Sequence, residues 1–173
     1  NYRPLSICPV VAKVLERLVA VRVGGIIDDA LPNNQFAYRR GHSTVDALLH
    51  ATTAWQRALD NGLFVGVVFL DIRKAFDSVQ FQDLLDELLA IGLDHSSAQW
   101  FGTYLCGRSN TVMTRTASSA AFEPTQGVPQ GSCLGPRLFI TYTRDAVRLL
   151  VTRMLMTFAS GKWVTRQQRS NIS

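Results

Sequence analysis

An almost wholly apolar run that ends on a carboxylate constrains this chain more than any other feature. Val65-Gly66-Val67-Val68-Phe69-Leu70 is followed by Asp71-Ile72-Arg73-Lys74-Ala75-Phe76-Asp77-Ser78. A short apolar run rich in β-branched residues predicts a strand buried on both faces. An unpaired Asp buried beside it would cost several kcal/mol or shift its pKa. Asp71 is therefore expected at the carboxyl end of the strand, facing a metal, an Arg or Lys, or a helix N-terminus. Ligands of open α/β sheets gather at that end of the strands. The competing reading, in which Asp71 caps the next helix, stays open on this segment alone.

With 173 residues, 47% of them hydrophobic, the chain suits one domain or two intimate subdomains with a real core. That apolar content argues against disorder. A net charge of +5 favours an anionic partner such as nucleic acid or nucleotide phosphates. An ordinary basic globular protein carries such a charge too. Cys8, Cys106 and Cys133 are far apart and odd in number, and His42, His50 and His95 have no ligand-like spacing to them. Neither a structural zinc site nor a disulfide framework is expected, and reduced thiols point to an intracellular, nuclear or cytoplasmic setting. No apolar run reaches transmembrane length, and no signal peptide or other targeting signal is visible. Asn1-Tyr2-Arg3-Pro4 opens the chain as if cut from something longer, and residues 166–173 read as a frayed polar tail.

Apolar spacing predicts a helix from Pro9 to about Asp28, a turn at Leu31-Pro32-Asn33-Asn34, and a short basic, aromatic segment from Gln35 to Gly41. A helix from about Ser43 to Leu59 is stopped by Asn61-Gly62. After the apolar strand come helices at Phe81–Ile91, closed by Gly92, and at Ser96–Cys106. Asn110–Arg115 and Ala120–Glu123 predict a hairpin. Gly127–Gly135 is a Gly/Pro-rich loop, Pro136 opens a helix reaching about Leu150, and Val151–Phe158 reads as a last strand. The mixture lacks regular βαβ alternation, which makes the class α+β.

Five segments, in order, resemble the reverse transcriptase domain of non-long-terminal-repeat (LINE-like) retrotransposons. They are Asn1-Tyr2-Arg3-Pro4-Leu5-Ser6, Gln35-Phe36-Ala37-Tyr38-Arg39-Arg40-Gly41-His42-Ser43-Thr44, Phe69 to Val79, Gly127-Val128-Pro129-Gln130-Gly131-Ser132-Cys133-Leu134-Gly135-Pro136, and Met154 to Ala159. The resemblance implies a right-hand polymerase with fingers and palm, and RNA-templated DNA synthesis with two divalent metals. It implies Mg2+ as cofactor, with an RNA template, a DNA primer and deoxynucleotide triphosphates as partners. Two-metal sites hold their ions about 3.5–4 Å apart, and magnesium prefers carboxylate oxygens.

Carried onto this chain, the resemblance makes Asp71 the catalytic ligand of both metals, helped by the backbone carbonyl of Ile72. Phe76 matches the ring that would clash with a ribose 2′-hydroxyl; a core aromatic is the alternative. Arg39 matches a basic residue set against the incoming triphosphate, where a guanidinium makes bidentate contacts. Arg40 suits a template phosphate, and Arg3 and Lys13 extend the basic face or are simply solvated. Gln130, in a loop of small residues that lets backbone approach a nucleotide, offers its amide to a sugar or base pair. Asp77 shares the signature without being a metal ligand there, and reads as a cap or an ion-pair partner.

The fifth segment departs from the pattern. Two aspartates should follow Ala159, and Ser160-Gly161 stands in their place. Loss of two negative charges from a dication site should weaken metal binding and transition-state stabilisation severely. The expectation is an α+β fingers and palm fold over residues 1–165, truncated and without a thumb, that descends from a polymerase and lacks its activity. A nucleic-acid-binding remnant and an inert product of a decayed element are the alternatives.

Overall fold

Among the described residues five named helices form, close to the places the apolar spacing predicts. They are α1 (Val10–Ala30), α2 (Thr44–Asp60), α3 (Phe81–Ala90), α4 (His95–Leu105) and α5 (Gly135–Tyr142), followed by strands β1 (Met156–Ala159) and β2 (Lys162–Thr165). The computed structural model describes residues 6–147, 156–159 and 162–165. It divides into two compact units, one of Asn1–Leu31 with Ile72–Tyr142, the other of Pro32–Asp71 with Thr143–Ser173.

The first unit holds the core. Val23 and Ile27 of α1, Leu84 and Leu88 of α3, and Phe101 and Leu105 of α4 are pairs four residues apart, so each pair shares a helix face. They close on Val79, Leu93, Val128, Leu134 and Leu138. Helix α3 packs on both α4 and α5, and α1 packs on α5. Each fully buried Leu, Ile or Phe here contributes about 1.5–3 kcal/mol. Local chemistry fixes the α3–α4 corner. Gly92, at φ 100°, donates to the Leu89 carbonyl, and Leu93 donates to Leu88, the paired bonds of a Schellman turn. Asp94 then caps α4, accepting from the Ser97 N–H at 2.9 Å.

Helix α5 is shorter than expected. Thr141 turns its hydroxyl back to the Arg137 carbonyl at 2.9 Å, a bond that bends helices. A turn at Thr143 separates α5 from helical residues 144–147, and the rest of the predicted helix lies outside the described residues. The predicted hairpin between α4 and α5 survives as two antiparallel bridges, Asn110 with Phe122 and Met113 with Ser118.

In the second unit, α2 starts on a capping box. The Ser43 hydroxyl accepts from the Asp46 N–H, and the Asp46 carboxylate accepts from the Ser43 N–H. No residue of α2 is buried, and Val45, Leu48 and Leu49 are exposed. Strands β1 and β2 pair antiparallel, Met156 opposite Thr165 and Ala159 opposite Lys162. The sequence predicts the first of these strands but not its partner. Residues 151–155 of the predicted last strand lie outside the described residues, as do the connecting residues 160 and 161.

The predicted buried strand is a correction. Residues 65–70 are not in a strand, and Val67 to Leu70 are exposed, Phe69 by 86%. A strand is a cooperative object whose backbone groups need ladder partners. Among the described residues no named strand pairs with this run. Apolarity predicted the burial, but burial depends on what the rest of the chain supplies. The described fold is accordingly mostly helical with few strands, rather than evenly α+β. No helix among the described residues is long and apolar enough to cross a membrane.

Candidate functional site

The best-defined polar constellation lies in the first unit, where the turn after Asp71 meets the Gly/Pro-rich loop. Lys74 adopts φ 52°, and its carbonyl accepts from the N–H groups of Asp77 and Ser78 at 2.9 and 3.0 Å. That tight turn presents the Phe76 and Val79 carbonyls to the loop. Val128 donates to Phe76 at 2.9 Å, and Gly127 donates to Val79 at 2.7 Å. The approach requires glycine. A Cβ on Gly127 would lie 3.0 Å from both the Cα and the carbonyl oxygen of Asp77, and its φ is +88°.

Three residues later the Gln130 amide donates from Nε2 to Asp77 Oδ1 at 3.3 Å. The Gln130 carbonyl accepts from the Ser6 N–H at 2.7 Å. Gly131, at φ +110°, lets the chain pass where a Cβ would meet the Ser6 oxygen at 2.8 Å. The Phe76 ring stacks on Phe139 of α5 at 4.9 Å between centroids, and is half-buried. Phe76 and Gln130 are thus brought together around Asp77. Among the described residues the partner of the Asp77 carboxylate is the Gln130 amide, not the cap or ion pair expected of it.

A buried carboxylate braces the loop from behind. Glu16 is 3% exposed, accepts from the Tyr104 hydroxyl at 2.8 Å through Oε1, and accepts from the Cys133 N–H through Oε2. Burial pushes the Tyr104 hydroxyl well above its ordinary pKa; a bond to Ser132 opposes the shift, and Glu16 adds to it. Arg108 donates to the carbonyls of Leu105 at 2.9 Å and Gly127 at 3.0 Å, with its guanidinium 5.9 Å from the ring centroids of Phe81 and Tyr104. Burial lowers the Arg108 pKa, opposed by Tyr104 and nearby thiols. Sequence reasoning missed all three of these residues. The apolar spacing that predicts α1 runs through Val11, Val14, Leu15 and Leu18, which are exposed, so the face that buries Glu16 with Val23 and Ile27 was not legible.

Arg39 and Asp71 belong to the second unit, Ile72 to the first. Arg39 is half-buried in the turn before α2 and donates from Nη1 to the Pro32 carbonyl at 3.2 Å. Arg40 is exposed. Asp71 and Ile72 are both exposed, at the end of an apolar run that is not in a strand. Arg3, Ser160 and Gly161 lie outside the described residues. Among the described residues no three His, Cys, Asp or Glu side chains converge on a point where an ion could sit. With Ser160 and Gly161 supplying no carboxylate, the donor set does not fit a pair of divalent cations.

A family model of the reverse transcriptase (RNA-dependent DNA polymerase) matches residues 1–163. The chain is similar to the probable RNA-directed DNA polymerase from transposon X-element of Drosophila melanogaster, 38% identical over 98% of this chain and 19% of that protein. It is similar to the RNA-directed DNA polymerase from mobile element jockey of Drosophila funebris, 34% identical over 84% of this chain and 16% of that protein. A third relative is the retrovirus-related Pol polyprotein from type-1 retrotransposable element R2 of Nasonia vitripennis, 30% identical over 80% of this chain and 13% of that protein. The chain therefore spans less than a fifth of the length of these relatives.

Proposed function

The chain belongs to the reverse transcriptase (RNA-dependent DNA polymerase) family, and on that premise we propose that it is a polymerase domain of a retrotransposon's RNA-directed DNA polymerase. The observation that carries the reading is the hydrogen-bonded apposition of the 76–79 turn and the 127–130 loop. It supports a site in which the Phe76 ring lies under the sugar of a deoxynucleotide and the Gln130 amide meets the sugar or base pair. By the family resemblance alone, Arg39, which belongs to the other unit, is this chain's match to the residue that meets the triphosphate. An RNA template and a DNA primer are the macromolecular partners, which suits a basic chain of net charge +5 in the nucleus or cytoplasm.

Reverse transcriptases generally use divalent metal ions. Asp71 and the Ile72 carbonyl are this chain's match to their ligands. Ser160-Gly161 stands where two further carboxylates belong, and this chain does not extend a primer. The test is primer extension on an RNA template with deoxynucleotides and Mg2+. The parent chain gives no product. Ser160→Asp combined with Gly161→Asp gives product that disappears on Asp71→Ala. Product from the parent, abolished by Asp71→Ala, would overturn the inactivity. A double variant that neither extends nor binds the primer–template would overturn the polymerase assignment.

A further inference from the structure

We infer that Asp77 is a positioning residue: it fixes the Gln130 amide so that its carbonyl oxygen, rather than its NH2 group, is offered to the nucleotide. The inference rests on the reading of Gln130 as a nucleotide contact. A free glutamine amide can turn over and present either end. A carboxylate has only acceptors, so Nε2 must be the end that faces Asp77 Oδ1, as it does at 3.3 Å. Oε1, at the other end of the amide, is then the acceptor left for a sugar hydroxyl or a base N–H.

Both partners are held by backbone before any ligand arrives. The Phe76 and Val79 carbonyls, on either side of Asp77, accept from Val128 and Gly127. Gln130 is pinned by its own carbonyl to Ser6. Gly127 and Gly131 allow these approaches, because a side chain at either would collide with Asp77 or Ser6 backbone. A site held on both sides loses little entropy when it orients one amide. A functional amide held by a carboxylate two loops away is hard to read from sequence, because 53 residues separate the pair.

The test measures, in the Ser160→Asp/Gly161→Asp chain, how far a complementary deoxynucleotide tightens binding to a fluorescent RNA–DNA primer–template in Mg2+. Gln130→Ala should weaken that nucleotide-dependent step about tenfold, the scale of one hydrogen bond to a sugar or base. Asp77→Leu should weaken it comparably, with Asp77→Ser used in its place if the Leu variant does not fold. Asp77→Asn, whose Oδ1 still accepts, should restore most of the effect. The Asp77→Leu/Gln130→Ala double variant should be no worse than Gln130→Ala alone, which a merely structural role would not produce. Loss on Gln130→Ala with no loss at Asp77, or additive losses in the double variant, overturns the positioning role alone. If that chain shows no nucleotide-dependent tightening, or is indifferent to Gln130→Ala, the reading of Gln130 is overturned and the inference with it.

Discussion

At the scale of single residues, two groups decide whether the loop pair exists. Gly127 sits at φ +88° with Asp77 backbone 3.0 Å from where a Cβ would be. Gly127→Ala meets both a backbone strain and a collision, and should cost about 1–3 kcal/mol in urea unfolding. A neutral result would mean the loop does not approach Asp77 as described. Tyr104 ties α4 to Glu16, and Tyr104→Phe leaves one carboxylate oxygen without that donor, a loss of about 1–3 kcal/mol near neutral pH. Burial raises the Tyr104 pKa, so the folded state keeps its proton where the unfolded chain has lost it. The stability this contributes is complete below the unfolded value of about 10 and is lost as pH rises above it. Tyr104→Phe should therefore flatten the fall in stability between pH 9 and 11, measured by unfolding at each pH. An equal fall in parent and variant would contradict the buried hydroxyl. Glu16 itself shows the limit of reading residues singly: neither its burial nor its two donors were legible.

At the scale of elements, the helices were legible because their information is local. Ser43 and Asp46 cap α2 three residues apart, Gly92 closes α3, and the four-residue spacing of Leu84 and Leu88 marks its buried face. The run at 65–70 failed as a strand because its information is not local. Its composition asks for a sheet, and no named strand among the described residues pairs with it. Exposed β-branched runs of this kind are aggregation-prone edges. Phe69→Lys should leave the unfolding free energy within about 0.5 kcal/mol and reduce light scattering on concentration. A large loss of stability would restore the buried strand. At the same scale, Asp71 ends that run exposed, and among the described residues no three His, Cys, Asp or Glu side chains gather.

At the scale of the whole molecule, the two units differ in kind. The buried apolar cluster belongs entirely to the unit of Asn1–Leu31 and Ile72–Tyr142, while α2 in the other unit buries no residue. Opening free energy follows buried contact, so amides of α2 should exchange at least about tenfold faster than those of Leu84–Leu88 and Phe101–Leu105. Equal protection by hydrogen exchange would show one cooperative body. By itself the sequence determined the family, through ordered motifs whose chemistry is specific, and the helices, through caps and periodicity within a few residues. It also puts Ser160-Gly161 after Ala159, where the resemblance implies two carboxylates. The tertiary structure decided what distant residues do to one another. It set Gln130 on Asp77, buried Glu16 behind the loop, stacked Phe76 on Phe139, and left the apolar run before Asp71 in the open. Those outcomes depend on contacts across tens of residues, whose free energies no local pattern encodes.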